Sequence, residues 1–217
     1  MSMTQGQMSL EFHRLRGAIA CENLMGKYSC YFTAARMKEC AALFARDKDT
    51  RITMPWGVYR GEDAAERLFL RDYADRTAEE RISELQGRLV INDMCGGVVE
   101  VAGDGQTARG VWMHPGIETY APGGVAQAYW NWSTIAADFM KLGGEWKIWH
   151  LAKYVQYTTP YFQDWGESEK FIAEPARNSS DGPAPEQYYY AADAVYPETE
   201  PALPEPYGTW EEVKEGY

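Results

Sequence analysis

The first third of the chain carries an apolar pattern with the period of an α-helix. Between Gly17 and Ala45, the apolar and aromatic positions fall within an arc of about 120° when each residue advances by about 100°. These positions are Cys21, Leu24, Met25, Tyr28, Tyr31, Phe32, Ala35, Ala42 and Leu43. The spacing predicts a long helix with one buried face. Glu39 falls on the same arc, and a carboxylate is costly to bury, so we expect a local break near Lys38 that turns it outward.

A short strand and a second helix follow this segment. The run from Thr50 to Met54 is short and rich in β-branched residues, and Pro55 ends it because proline has no N–H for a sheet ladder. From Gly61 to Ala74 the apolar residues again recur at helical spacing. The sequence therefore predicts a helix–strand–helix order in this part of the chain.

Beyond the second helix, the pattern changes to strands separated by glycine-rich turns. The predicted strands are Gln86 to Asn92, Gly97 to Ala102, Thr107 to His114, Gln127 to Met140 and Glu145 to Tyr157. The turns lie at 96–97, 103–105, 122–124 and 143–144. Consecutive strands joined by short turns pair antiparallel, so the predicted fold class is α+β rather than doubly wound.

Composition divides the 217 residues into three parts. Residues 1–16 are predicted to be an N-terminal arm, and residues 17–160 a single domain. The segment 161–217 holds most of the 11 prolines and many of the 15 tyrosines, which indicates an irregular tail. A purely flexible tail would be poor in aromatic residues, so we expect this one to pack on its own domain or on a neighbouring subunit.

The net charge of −11 argues against a nucleic-acid partner, because such proteins need a basic surface. The N-terminus lacks the apolar stretch of a signal peptide, and no run approaches the length of a membrane span. The four cysteines show no paired spacing and are expected to be reduced thiols. These features predict a cytoplasmic protein without nucleic-acid or membrane partners.

Candidate chemistry is limited to a few tyrosines and histidines. The chain has no HxH, HExxH, GxGxxG, GxxxxGK[ST] or GxSxG motif, so we expect neither a metal, nor a cofactor, nor a covalent serine mechanism. His114 shares a strand face with Trp112 and Gly110, and His150 is predicted to share one with Ile148. In an apolar pocket, a tyrosine hydroxyl can donate to a developing oxyanion and a neutral imidazole can exchange protons.

Aromatic side chains near these groups offer stacking surface for a flat or polycyclic substrate. The residues expected to bind substrate are Trp56, Trp112, Tyr129, Asn131 and Tyr31. Bound between such rings, a hydrophobic aromatic molecule would meet few charged groups.

Several sequence segments resemble the nuclear transport factor 2-like superfamily, in its SnoaL-like branch. They are Tyr28, Ala42-Leu-Phe-Ala45, Pro55-Trp-Gly-Val-Tyr-Arg-Gly61, Ala108-Arg-Gly-Val-Trp112 and Asp138-Phe-Met-Lys-Leu-Gly-Gly-Glu-Trp-Lys-Ile148. The resemblance covers about residues 17–157. It implies a cone-shaped, curved antiparallel sheet wrapped around the helices, with a pocket at the wide end. It also implies a homodimer or homotrimer.

The resemblance further implies candidate catalytic residues. Tyr28 falls where ketosteroid isomerase has its oxyanion-binding tyrosine, whereas the isomerase's two acidic positions correspond to Met54 and Ala137. Scytalone dehydratase and its relatives pair a first-helix tyrosine with a tyrosine in the strand-to-helix turn and a pocket histidine. Tyr28, Tyr59 and either His114 or His150 match that set, although the dehydratases' first-helix aspartate is absent here.

These residues favour a cofactor-independent lyase acting on a hydrophobic aromatic or polycyclic alcohol. The reaction would eliminate water, or cleave a C–C bond to release a small carbonyl such as formaldehyde. Two alternatives stay open: an isomerase or cyclase that uses Glu39 or Asp72 as its base, and a non-catalytic protein that binds a small molecule. The sequence also leaves open which of His114 and His150 faces the pocket, because a single β-bulge reverses the faces of a strand.

Overall fold

Helix α1 opens the fold and extends well past its buried face. In the computed structural model it spans Gln5–Thr33. Its first turn is closed by a capping box, in which Thr4 and Gln7 each accept a hydrogen bond from the other's backbone N–H. The buried positions begin only at Gly17. The predicted start at Gly17 was therefore too late, because burial sets the hydrophobic pattern while the cap sets the helix end.

The chain breaks sharply after α1. Ala35 adopts a left-handed conformation with φ 54°, and helix α2 then spans Met37–Ala42. Glu39 faces solvent and accepts a 2.9 Å hydrogen bond from Arg36 Nε. The predicted break is confirmed, and it lies slightly before Lys38. Helix α3, Ala64–Glu66, continues into a π-helical segment, Arg67–Asp72, in place of the predicted second helix.

The structure describes residues 3–73, 87–120, 125, 127–166, 179–186, 188–195, 201–213 and 215–217. Within these residues the strands are β1 (Arg51–Met54), β2 (Gly57–Arg60), β3 (Val90–Asn92), β4 (Cys95–Val101), β5 (Thr107–Tyr120), β6 (Gln127–Leu142) and β7 (Glu145–Pro160). Ala74, Gln86 and the predicted turn at 122–124 lie outside the described residues.

The strands form one curved sheet in the order β2-β1-β7-β6-β5-β3, and β4 also pairs with β5. Strand β1 runs parallel to β7, whereas the other pairs are antiparallel. Strand β2 was not predicted, because the segment after Pro55 was taken as an irregular entry to the second helix. It instead closes a tight hairpin in which Met54 pairs with Gly57. The α+β class and the helix-filled curved sheet are confirmed.

Two β-bulges in β7 decide which of its side chains enter the cone. The pairing with β6 passes over Trp149 between Ile148 and His150, and over Gln156 between Val155 and Tyr157. Each passed-over residue reverses the alternation of faces. Ile148 and Leu151 therefore both lie in the core, although an unbroken strand would place them on opposite faces.

The described part of the tail packs on the outer face and the edge of this sheet. Gly182 forms a bridge with Val58 in β2, and the Trp210 ring lies 4.8 Å from that of Trp149. The Tyr207 hydroxyl lies 3.1 Å from Thr107 Oγ1. These described tail residues thus contact β2, β7 and β5 of their own chain, whereas the homodimer or homotrimer stays a prediction.

Asp138 fastens the end of the tail to the sheet. Its fully buried carboxylate accepts hydrogen bonds from Arg109 Nε at 2.9 Å and from the Tyr217 N–H at 2.7 Å, and it lies 2.8 Å from His150 Nδ1. These contacts give one carboxylate three partners from two strands and the tail.

Replacing Asp138 with alanine is expected to lower the free energy of unfolding by about 3 kcal/mol, since it leaves a largely buried arginine without its counter-charge. Urea denaturation measures this loss. Glu145→Ala is the control, because Glu145 is exposed and lies 3.8 Å from Lys147. Its loss is expected to stay within about 0.5 kcal/mol. Equal midpoints for both variants would show that Asp138 does not hold the tail.

Candidate active site

A cavity of about 500 Å³ lies between α1 and the inner face of the sheet. This volume falls in the range typical of small-molecule sites. One wall is apolar and largely aromatic, with Phe32, Trp56, Tyr73 and Val155 among its members. The polar residues that line the cavity are Tyr28, Ser29, Asn92, His114, Glu118, Asn131 and Lys153.

Tyr28 reaches the cavity from the buried face of α1. Its ring packs against Phe32, Phe44 and Phe69 at centroid distances of 6.1 to 6.3 Å, and 4% of the residue is exposed. Burial raises the pKa of the Tyr28 hydroxyl well above its ordinary value. The phenol therefore keeps its proton and can act as a hydrogen-bond donor to a bound molecule.

His114 lines the same cavity from the middle of β5. Its Nδ1 lies 3.0 Å from the backbone carbonyl oxygen of Asp93. A carbonyl only accepts, so Nδ1 carries the proton and Nε2 of the neutral ring keeps a lone pair. Burial, together with the nearby Lys153 charge, lowers the pKa of His114 to about 3. The imidazole is thus neutral near pH 7, with Nε2 as a proton acceptor.

Glu118 organises the polar end of the cavity from the same strand. Its Oε1 accepts hydrogen bonds of 3.0 Å from Asn92 Nδ2 and from Asn131 Nδ2. Gly116 makes this possible, because a Cβ at that position would lie 1.8 Å from Asn92 Oδ1. A missing side chain on β5 therefore lets an amide from β3 lie across the strand.

Lys153 enters the cavity from β7. Burial lowers the pKa of its ammonium group, and the negative charge of Glu118 opposes that shift. The inward direction of this side chain follows from the bulge at Trp149, which turns Leu151 and Lys153 toward the cone. The cavity thus contains a lysine, a glutamate and a neutral imidazole.

Five residues singled out in the sequence lie at this cavity. They are Tyr28, His114, Trp56, Tyr129 and Asn131. They come from α1, β5, β6 and the turn after β1, so the fold assembles them from distant segments. Their roles in binding or catalysis are proposals.

The structure places the other four elsewhere. His150 lies on the outer face of β7, because the bulge at Trp149 reverses the predicted alternation. Its imidazole ring contacts the rings of Trp149 and Trp210 there. Trp112 is buried in the core, where its Nε1 donates to Glu22 at 2.9 Å. Tyr31 does not line the cavity and lies under the Arg36 guanidinium.

Tyr59 is fully buried behind the cavity wall. Its hydroxyl donates to Asp72 Oδ2 at 2.5 Å and accepts from Trp56 Nε1 at 3.1 Å. Only Trp56 of these three lines the cavity. Tyr59 therefore positions a wall residue and does not itself face the cavity. Asp72 is committed to this contact and Glu39 is exposed on α2, so neither proposed alternative base lies at the cavity.

Sequence reasoning missed Glu118, Lys153, Asn92 and Ser29. Glu118 could have been found, because it extends the period-two face of Trp112 and His114 by two more steps. Lys153 could not, because its inward direction depends on the bulge. Ser29 is adjacent to Tyr28, and its hydroxyl donates to the Asn92 carbonyl at 2.6 Å, which ties α1 to β3.

The described residues contain no group of three or more His, Cys, Asp or Glu side chains arranged to hold a metal ion. Within the same part of the chain, no helix is long and apolar enough to cross a membrane.

Comparisons with known proteins agree with this architecture. A family model described as "SnoaL-like domain" matches residues 14–152. A hexachlorocyclohexane dehydrochlorinase, LinA-type3 from Novosphingobium barchaimii, has a similar structure with a TM-score of 0.56 and 16% identity over 73% of this chain and 99% of its own. A putative scytalone dehydratase from Novosphingobium aromaticivorans gives a TM-score of 0.52 and 17% identity over 74% and 93%. A search of curated protein sequences finds no significant match.

Proposed function

We propose that this chain, which belongs to the SnoaL-like family of the nuclear transport factor 2-like superfamily, is a cofactor-independent lyase. The substrate would be a hydrophobic aromatic or polycyclic alcohol. The observation that carries the proposal is the meeting of Tyr28 and His114 at one cavity with aromatic walls. The names of two structurally similar proteins, a dehydrochlorinase and a putative dehydratase, also denote eliminations.

For loss of water, His114 acts at the C–H bond that breaks and Tyr28 acts at the C–O bond that breaks. Nε2 of His114 takes the proton from the carbon beside the C–O bond, and the electron pair of that C–H bond forms the new double bond. Tyr28 donates a hydrogen bond to the departing oxygen, and the proton on His114 completes the water molecule. A protonated tyrosine and a neutral imidazole are the states that this sequence of steps requires.

For C–C cleavage, the same groups act on a hydroxymethyl substituent. His114 takes the hydroxyl proton, the C–C bond breaks, and formaldehyde leaves. The electron pair of that bond forms a double bond to the neighbouring carbon as a hydroxyl leaves it, and the proton on His114 joins that hydroxyl as water. Tyr28 donates to that departing hydroxyl. An electron-rich aromatic ring next to this carbon would assist its departure.

A carboxylate at the cavity favours one alternative. Glu118 lines the cavity and could move a proton between two carbons, as an isomerase does, in place of Glu39 or Asp72. Its Oε1 accepts two amide hydrogen bonds, which fix the position of the carboxyl group. The mass of the product separates the two reactions, because isomerisation leaves the mass unchanged.

The deciding experiment is a panel of aryl alcohols incubated with the purified protein and analysed by mass spectrometry. A lyase gives a product lighter by water, or lighter by formaldehyde with or without water. A product of unchanged mass would favour the isomerase. Recovery of every compound unaltered, with one of them bound, would indicate a binding protein.

Tyr59→Phe is expected to reduce turnover less than tenfold while lowering the free energy of unfolding by about 1 kcal/mol. The change removes the hydrogen bonds to Asp72 and Trp56 but leaves the cavity's polar groups in place. Steady-state kinetics and urea denaturation of the same preparation measure the two effects. A loss of about 100-fold without loss of stability would instead make Tyr59 a catalytic donor.

A further inference from the structure

We propose that Lys153 binds a phenolic hydroxyl of the substrate as its anion, at the polar end of the cavity. This inference rests on the proposed function, because it specifies which aromatic alcohols the same cavity accepts. It assigns a role to the one cation among the described cavity residues, a role that proton transfer by His114 and Tyr28 does not require.

Lys153 is one of the residues through which β7 lines the cavity. It extends from β7 into the cavity and pairs through the sheet with Ile135, whose neighbour on β5 is Trp112. Along β5, His114 lies one inward position beyond Trp112, and Glu118 lies two inward positions beyond His114. These three side chains interact electrostatically. Lys153 lowers the proton affinity of His114, and Glu118 raises the proton affinity of Lys153.

Burial of the Lys153 ammonium group also favours an anionic ligand. Burial disfavours the charged form and lowers the pKa of Lys153, so a further negative charge close to it would be stabilising. An ammonium group has three N–H donors, so it can donate to a ligand oxygen and to a protein group at the same time. An opposite charge within a few ångströms lowers the pKa of a bound acid by about 1 to 3 pH units.

The chemistry of the surroundings selects a phenol over a carboxylic acid. A carboxylate would enter already charged and would meet Glu118, which lines the same cavity and acts electrostatically on Lys153. A phenol enters neutral and loses its proton to solvent only where the site stabilises the anion. The ring then lies among the aromatic side chains of Trp56, Tyr73, Phe32 and Tyr129.

The titratable groups that share the cavity with Lys153 come from every surrounding element. They are Tyr28 on α1, Tyr73 after the π-helical segment, His114 and Glu118 on β5, and Tyr129 on β6. The bound anion would also act on His114. Its negative charge beside Lys153 would offset the positive charge of Lys153, which lowers the proton affinity of the imidazole. Binding of the phenolate would thereby strengthen the base used in the proposed reaction.

The test measures the ionisation of bound 4-nitrophenol, whose anion absorbs visible light and which has no leaving group for the lyase reaction. With saturating wild-type protein, the bound probe is expected to ionise about one pH unit or more below the free probe. Lys153→Met should abolish this shift, and Lys153→Arg, which keeps the cation, should retain it. Lys27→Met is the matched control, because it removes one charge from the exposed face of α1.

Three results would overturn the inference. They are an unshifted ionisation in the wild-type protein, a shift that survives in Lys153→Met, and displacement of the probe by benzoate at lower concentration than by phenol. Since the wild-type measurement needs no variant, a misfolded Lys153→Met would not rescue the idea. The panel of aryl alcohols separates this inference from the function: equal turnover of phenols and their methyl ethers refutes only the role of Lys153.

Discussion

Replacing His114 with glutamine is expected to lower turnover by about 1000-fold, the size typical for loss of a general base. Glutamine has a similar reach and can still hydrogen-bond the Asp93 carbonyl, so the fold should persist. It has no lone pair that accepts a proton near neutral pH. Steady-state kinetics with the substrate found in the panel measure the loss.

The chain's other two histidines provide matched controls. His13 is exposed on α1, and His13→Gln should change neither turnover nor stability. His150→Gln should lower stability, because Nδ1 contacts Asp138 and Nε2 lies 3.1 Å from the Asp49 carbonyl, yet it should leave turnover within about threefold of wild type. If His150→Gln were the variant that abolished turnover, the catalytic base would have been assigned to the wrong face of the sheet.

His114 also makes stability depend on pH in a predictable direction. Its pKa is about 3 in the folded protein and about 6.5 in the unfolded chain, so the unfolded state binds more protons between these values. This histidine therefore contributes stability that is fully present above about pH 6.5 and is lost as the pH falls toward 3. In His114→Gln, the free energy of unfolding should fall less steeply over that range.

The sequence predicted the parts of this fold that depend on local periodicity. The long first helix follows from a single apolar face, and the strands from β5 onward follow from alternation between glycine-rich turns. Strand β2 was missed because only four residues separate Trp56 from Gly61, and it lies at the sheet edge, where β1 is its neighbour in the sheet. A strand of four residues is too short for its alternation of polar and apolar residues to be recognised in the sequence.

The candidate site was predictable where the backbone keeps a regular period, and was not where it departs from it. His114 lies on an unbroken inner stretch of β5, and its predicted direction agrees with the structure. His150 and Lys153 exchange faces because of one extra residue, Trp149, and nothing in the local sequence marks that bulge. The inward direction of Lys153, to which we assign phenolate binding, could not be predicted for the same reason that the sequence left the choice between His114 and His150 open.

Replacing Tyr28 with phenylalanine is expected to lower turnover by about 100-fold, since it removes one donor to developing negative charge. The change removes a hydroxyl and little volume, so the packing against Phe32, Phe44 and Phe69 remains. Tyr31→Phe is the matched control on the same helix, because Tyr31 does not line the cavity. It should retain the wild-type turnover.

Loss of the Tyr28 hydroxyl should affect kcat and KM to different extents. Without the Tyr28 hydroxyl, KM should change little while kcat falls, because the hydrogen bond strengthens as charge develops on the departing oxygen. Burial keeps the Tyr28 proton in place through the alkaline range, so the pH profile of kcat should have the same shape in Tyr28→Phe as in wild type. An alkaline limb that disappears with the hydroxyl would mean that Tyr28 acts as an ionising base, and the division of roles between Tyr28 and His114 would then be reversed.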